Sequence, residues 1–426
     1  MKLRFLLCAI LLCLAGMVFA DALSDYVAKD DGVYSAELSK IQLNSSQNVS
    51  VATIDLTSQK WQDNIFNHNV ELYYPNGALV TNTALMVVTR GETSTDWKQS
   101  MAYLAQLMLA PIAVVYVQPK DLSGVYDNIY STIITDKEYA KCPVFYADTK
   151  TIIKAMDAIL EITHENYNNT IDDFVITGCE GAALPVWYAA SLGDKRVRAI
   201  VPMGLCMINM QKQIPNAKNN LESINSKLNV FVKDGDKLAD YDPYNFIEKV
   251  TCPKLIMLGS NGDMLGADSP KYYFKDLKGT ENYLYYDINE DDDIWFTQNS
   301  TKYARVNSYA NIITTIRAFF YKVTKDQDYE SVSFDWTNSG DTYTLNINCP
   351  VDKVVAAYYY EADSPNSDFT TTRWNKKTLE KVGGVYSLTT EKPSHGSRCA
   401  FVELQFTSPV GGNYSEFSIP YIVGQD

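Results

Sequence analysis

The chain has 426 residues, 46% of them hydrophobic, and sets 37 basic residues against 51 acidic ones for a formal net charge of −14. That length accommodates one large domain and a smaller one, each with its own core, and the acidic balance, with no basic stripe, argues against nucleic acid or an anionic membrane as a partner. Past the first twenty residues no segment approaches the roughly 20 consecutive apolar residues of a spanning helix, so membrane insertion is not expected.

The opening stretch, MKLRFLLCAILLCLAGMVFA, places Lys2 and Arg4 before an apolar run and Val18 and Ala20 at small-residue cleavage positions. Residues 1–20 therefore read as a cleaved secretory signal, and the mature product is expected outside the cell. Cleavage takes Cys8 and Cys13 with it and leaves Cys142, Cys179, Cys206, Cys252, Cys349 and Cys399, some of which should pair in an oxidising compartment. Asn-x-Ser/Thr sequons begin at Asn44, Asn48, Asn168, Asn299 and Asn413, candidates for glycosylation on the surface.

From about residue 68, short apolar runs alternate with helical patterns. The strand candidates are VELYYP, ALMVVTRG, PIAVVYVQP, DFVITGC, VRAIVPMGL, PKLIMLGSNG and NYLYYDIN, with His68 ahead of the first. Runs of this kind describe a doubly wound, mostly parallel sheet covered on both faces. Ile152, Ile153, Met156, Ile159 and Leu160 form the stripe of a helix packed on that sheet, and Ile312, Ile313, Ile316, Phe319, Phe320 and Val323 repeat it. The second helix closes a domain spanning 21–328.

After about residue 330 the runs alternate and are broken by Gly, Pro, Asn and Ser: SFDWTN, YTLNINCP, VVAAYYYEA, VYSLTT, AFVELQF and FSIPYIVG. They predict a small β-sandwich over 329–426. Cys349 and Cys399 are its two cysteines, and a mutual disulfide is expected. Tyrosine patches at Tyr272–Tyr273, Tyr283–Tyr286 and Tyr358–Tyr360 suit either strand packing or an interaction face.

FVITGCEGAALP outlines a sharp strand-to-helix turn, where a hydrolase exposes its nucleophile and the helix N-terminus helps an oxyanion site. In its wider setting the chain resembles the PhoPQ-activated pathogenicity-related protein family, which also holds a secreted autocrine proliferation repressor. The likeness runs through LSDYVAKDDGVY, ALMVVTRG, VYVQP, TKTIIKAMDAIL, FVITG, DKRVRAIVPM and YDPYNFIEKVTCPKLIMLGSNGDMLGADSPKYYF, and reaches SDFT and AFVEL in the tail. It implies an α/β-hydrolase domain followed by a β-sandwich, with a serine-type triad in members that keep one.

Against the family elbow Gly-Ala-Ser-Lys-Arg-Gly, this chain has Gly178, Cys179, Glu180, Gly181, Ala182 and Ala183, so Glu180 stands in the serine's place. The triad acid is matched by Asp263, with Asp268 in the same loop. Where the family has Pro-Asn-x-x-His, this chain has Ile288 to Asp292, and Asp292 replaces the histidine. The chain's three histidines, His68, His164 and His395, all lie outside that region and read as surface or loop residues. Without an imidazole, serine or cysteine hydrolysis lacks its proton shuttle.

The reading is of a secreted, catalytically degenerate hydrolase scaffold that binds a protein partner or cell-surface receptor. The resemblance implies extracellular signalling, growth restraint or chemorepulsion among the roles. No cofactor or metal is expected. One alternative is a secreted esterase or peptidase with Cys179 as nucleophile. Another is that Glu180, Asp263 and Asp292 converge to hold Ca²⁺ or share a proton, although EDDD reads more simply as a solvated loop.

Overall fold

A computed structural model describes residues 22–61, 64–77, 79, 81–90, 95–120, 144–167, 170–205, 207–220, 242–262, 265–292, 294 and 304–424. The leader, Cys142, Cys206, Asn168, Asp263 and Asn299 lie outside the described residues.

Nine strands build the main sheet: β1 (Ser35–Asn44), β2 (Val49–Trp61), β3 (Asn64–Pro75), β4 (Thr83–Thr89), β5 (Ile112–Tyr116), β6 (Asp173–Cys179), β7 (Val197–Met203), β8 (Lys254–Gly259) and β9 (Asn282–Asp287). Their order is β1-β2-β3-β5-β4-β6-β7-β8-β9. β1, β2 and β3 form an antiparallel meander, and β3 runs antiparallel to β5. From β5 onward the pairing is parallel, with Val87 opposite Thr177, Thr177 opposite Val201 and Met257 opposite Tyr285. This is the α/β-hydrolase sheet with one additional strand at its antiparallel edge.

The parallel strands bury nearly every residue because helices cover both faces; β4, TALMVVT, is buried at every position. The helices are α1 (22–28), α2 (Thr95–Met108), α3 (Val144–Asn166), α4 (Ala183–Ser191), α5 (Met210–Asn220) and α6 (Ala304–Thr324). The predicted stripe on α3 is realised, with Ile152, Met156 and Ile159 fully buried. α4 is short and buried all round, and its alanines let it lie close against the sheet. Pro185 sits in its first turn, where the missing N–H has no partner to lose.

The N-terminal meander adds β1, β2 and the first half of β3 to the predicted elements, which began at VELYYP. It also relocates His68, which lies within β3, not ahead of the first strand, and is 1% exposed.

The C-terminal strands are β10 (Ser333–Ser339), β11 (Thr342–Asn348), β12 (Val354–Ser364), β13 (Asn375–Thr378), β14 (Lys381–Val382), β15 (Val385–Glu391), β16 (Ser397–Thr407), β17 (Asn413–Phe417) and β18 (Tyr421–Ile422). They form an outer sheet, β10-β11-β15-β14, and an inner sheet, β13-β12-β16-β17, with β18 also on β16. FSIPYIVG, read as one strand, divides at Ser418–Pro420 into β17 and β18, since proline contributes no donor to a ladder.

Alternation along β16 gives the inner sheet two buried faces. Ala400, Val402, Leu404 and Phe406 meet Leu345, Ile347 and Leu388 of the outer sheet. Cys399 and Phe401 face the other way, into the core of the large sheet. There Phe401 stacks on Tyr360 at 5.0 Å and meets Trp374 edge-on at 5.1 Å and Tyr286 at 5.4 Å. Tyr273, Tyr285, Tyr286 and Tyr360 are buried, so much of the tyrosine wealth is packing.

The same alternation overturns the expected Cys349–Cys399 disulfide. Cys399 belongs to the core shared with the large sheet, whereas Cys349 packs at the margin of the cluster between the two small sheets. Both are free thiols, and burial pushes both upward in pKa.

Truncating Phe401 to Ala should lower the unfolding free energy by about 3–5 kcal/mol, because the ring is 0% exposed and touches both units. Equilibrium denaturation by urea measures it.

Candidate functional site

β6 is buried from Phe174 to its end at Cys179, whose backbone is still extended (φ −112°, ψ 144°). Glu180 then turns left-handed, with φ +49°, a conformation that costs a non-glycine residue about 1 kcal/mol. A short 3₁₀ turn, Glu180–Ala182, leads directly into α4. A Cβ on Gly178 would stand 2.6 Å from the Ala182 carbonyl oxygen, so glycine there is what allows the helix to return so tightly over the strand. Strand, left-handed tip and helix reproduce the nucleophile elbow with a glutamate at its tip.

Glu180 is exposed, whereas Cys179 is 2% exposed. The Cys179 thiol donates to the Asp292 carbonyl oxygen at 3.8 Å. The sulfur considered as an alternative nucleophile is therefore covered by the loop after β9. Cys206, the cysteine that closes VRAIVPMGLC, lies outside the described residues.

Beside the elbow lies a cation that sequence reasoning missed. Arg90 follows β4, packs its guanidinium against Gly181, and donates from Nη2 to Asp148 Oδ2 at 3.3 Å. It also sits over the Phe145 ring at 5.2 Å. The Asp148 side chain is wholly buried, which holds the guanidinium in place. A basic residue after a strand is too common a pattern to have marked it.

The loop after β9 is folded inward across the ends of the neighbouring strands. Asn261 N donates to Glu290 O at 2.9 Å, and Asn289 N donates to Ser260 Oγ at 2.7 Å. Asp292 is buried, and its Oδ1 accepts the Gly259 N–H at 3.0 Å. Its carboxylate fills the space over Gly262, and its carbonyl fills that over Gly204, where any Cβ would overlap it. Thus EDDD is only partly the solvated loop expected: Asp291 is exposed, Glu290 is half-buried and Asp292 is enclosed. The left-handed turn at Asn289 (φ +63°) directs the chain back toward β8. The structure brings Cys179, the neighbour of Glu180, against the Asp292 backbone, and the Asp292 carboxylate accepts from the Gly259 N–H.

Asp268 is buried and paired with Lys271 at 2.6 Å. Among the described residues no group of three or more His, Cys, Asp and Glu side chains is arranged to hold a metal ion. The DPYNF segment has a structural explanation. Asp242 accepts the N–H groups of Asn209 (2.9 Å), Met210 (2.5 Å) and Tyr244 (2.9 Å), tying α5 to the next 3₁₀ turn. Burial pushes its carboxyl up to about 6, against the pull of those three donors.

The histidines have other surroundings. The His68 ring bonds through Nε2 to Ser58 Oγ at 2.9 Å and through Nδ1 to the Tyr116 carbonyl at 2.9 Å, inside a polar network with Thr151 and Gln59. This interior position corrects its reading as a loop residue. Burial drives its pKa down to about 4. His164 in the last turn of α3 and His395 between β15 and β16 are exposed, as expected.

The sequence pattern of the PhoPQ-activated pathogenicity-related protein family matches residues 23–123 and 127–370. Autocrine proliferation repressor protein A of Dictyostelium discoideum is 23% identical over 479 aligned residues, covering 98% of this chain and 92% of that protein. Among solved structures, acetyl xylan esterase 1 from Thermoanaerobacterium sp. JW/SL YS485 has a TM-score of 0.48 at 12% identity over 68% of this chain and 91% of its own. An S-formylglutathione hydrolase from Agrobacterium tumefaciens has a TM-score of 0.44 at 11% identity, covering 68% of this chain and all of its own.

Two outcomes follow from this geometry. Asp292→Ala should cost about 1.5–3 kcal/mol, the worth of a hydrogen bond to a charged group, with Asp292→Asn losing less; thermal unfolding of the two variants checks the order. His68, depressed from its ordinary 6.5 to about 4, contributes stability that is present above about pH 6.5 and lost as pH falls through about 4. The whole effect is about 3 kcal/mol. Urea midpoints measured from pH 7 to pH 4 should fall steeply for the native chain and less for His68→Gln.

Proposed function

The chain belongs to the PhoPQ-activated pathogenicity-related protein family, and from that membership we propose that it is an exported, catalytically silent hydrolase scaffold acting by binding a protein partner or cell-surface receptor. The role is an extracellular restraint on proliferation or movement, with 21–328 as the hydrolase-like unit and 329–426 as the sandwich. The leader and the sequons support export; Asn48 and Asn413 are exposed. The signalling role is supported by the likeness to autocrine proliferation repressor protein A of Dictyostelium discoideum.

The observation that carries the reading is a glutamate at the left-handed tip of the elbow in a chain whose three histidines lie elsewhere. A carboxylate there has no proton to shed on attack, and an acyl-glutamate would be an anhydride with no shuttle to resolve it. A cysteine mechanism would need the Cys179 sulfur to emerge from beneath Asp292 and to find a base.

Purified protein should show no turnover of short acyl esters or aminopeptide substrates above the buffer rate, and Glu180→Ser alone should restore none. Saturable attachment of tagged protein to cell surfaces should persist in Glu180→Gln. Turnover that survives Glu180→Ala but disappears in Cys179→Ala would overturn the proposal.

A further inference from the structure

Between the end of the parallel sheet and the inner sheet of the sandwich lies a cavity of about 1120 Å³, just above the range of roughly 300–1,000 Å³ typical of small-molecule sites. One wall is the end of β9 with Asp287 to Asp291. A second is α6, through Asn311, Thr314 and Thr315. A third is the stretch from Thr370 to Trp374, and the last is β16 and β17, through Glu403, Gln405, Asn413 and Ser415. No elbow residue is among the lining residues described.

We propose that this cavity is a binding site for a neutral, hydroxyl-rich saccharide. Three properties of the walls lead there. First, the aromatic residues beneath it are nearly sealed, Tyr286 being 1% and Trp374 2% exposed. A lipid or flat aromatic ligand would find little apolar surface to cover.

Second, the charges are already committed. Both oxygens of the Glu403 carboxylate are engaged: Oε2 accepts from Tyr360 OH at 2.6 Å, and Oε1 accepts from Gln405 Nε2 at 2.7 Å and Ser415 Oγ at 2.8 Å. Lys376 stands 3.5 Å from Oε2. Asp287, Glu290 and Asp291 also hold interactions within the chain. A cation would have to displace these partners, and an anion would meet four carboxylates against Arg373 and Lys376.

Third, Asn, Gln, Ser and Thr outnumber every other class of lining side chain. Amides and hydroxyls both donate and accept, which matches the hydroxyls of a sugar and no other common ligand class so well. Asn311, Thr314 and Thr315 of the helix line the same cavity as Asn413 of the sandwich and as Gln405 and Ser415, whose donors are turned to Glu403, so an occupant would bridge helix and sandwich.

Such a saccharide has two sources. It is either a glycan on a partner or the glycan this chain would carry on Asn413, since the sequon Asn413-Tyr414-Ser415 lies on the cavity wall.

Titration calorimetry on the full secreted chain and on the same chain produced without N-glycosylation, with glucose-, mannose-, galactose- and N-acetylglucosamine-based trisaccharides, separates them. Inorganic phosphate and spermine serve as anionic and cationic probes. At least one neutral trisaccharide should bind, and Asn311→Ala and Thr315→Val should each weaken it about tenfold, the worth of one well-made hydrogen bond. Binding by both forms marks an external glycan, and binding by the unglycosylated form alone marks the chain's own. Asn311 is exposed, so Asn311→Ala keeps the test alive if Thr315→Val fails to fold. Silence from every neutral trisaccharide with both forms, affinity untouched by either wall substitution, or tighter binding of phosphate or spermine would overturn the proposal. None of these results bears on turnover at the elbow, which is assayed separately.

Discussion

The constraint on which the rest depends is that one sheet of the sandwich is buried on both faces. β16 alternates between two cores, sending Ala400, Val402 and Leu404 to the outer sheet and Cys399 and Phe401 to the hydrolase-like unit. Through Phe401, Phe417, Tyr360 and Trp374 the tail is continuous with the packing of β9. That joint fixes the loop after β9, because Asn289 exchanges hydrogen bonds with the Trp374 backbone, and Asn261 donates to the carbonyls of Phe369, Thr370 and Thr372. The loops that would hold the acid and base of a hydrolase are therefore held by the sandwich as well as by the sheet.

With those loops fixed, Asp292 has a structural part to play. Asp292 gives its carboxylate to a backbone N–H and closes over two glycines at the ends of neighbouring strands. An enclosed carboxylate is tolerable only when its oxygens find partners, and the Gly259 N–H is the one that Oδ1 takes. The elbow, meanwhile, keeps a left-handed residue at its tip, since the tight return of α4 over β6 imposes that conformation whatever side chain stands there. The geometry of the turn is a property of the fold; serine hydrolysis there would need a hydroxyl and an imidazole besides.

Legibility in the sequence followed the physics of each element. β4 to β9 are apolar along nearly their whole length because both faces are covered, so they stand out as runs without any knowledge of partners. The elbow was visible because Gly178 and the small residues after it are demanded by local backbone geometry. β1, β2 and the first half of β3 were not read: their apolar residues alternate with Thr, Ser, Asn and Gln, and part of that polar set is buried only because α3 brings Thr151 to meet Ser58 and His68. The inward turn of Asp292 was hidden in an acidic run for the same reason, its partners lying on β8 and the loop beyond. The cysteine pairing failed because spacing along the chain carries no information about which face of a strand each thiol occupies. Arg90 and the cavity arise only when segments far apart in sequence are assembled.

The doubly covered sheet also limits how such a chain can change over time. A nonsense codon near the end of α6 would not release a smaller working unit; it would leave the aromatic flank of Tyr285 and Tyr286 bare in water, an invitation to clumping. Conversely, the far side of the outer sheet, where Val382 and Val385 already stand in solvent, contributes little to either core. Diversification among relatives is free to happen on that outward surface while the junction behind it stays frozen.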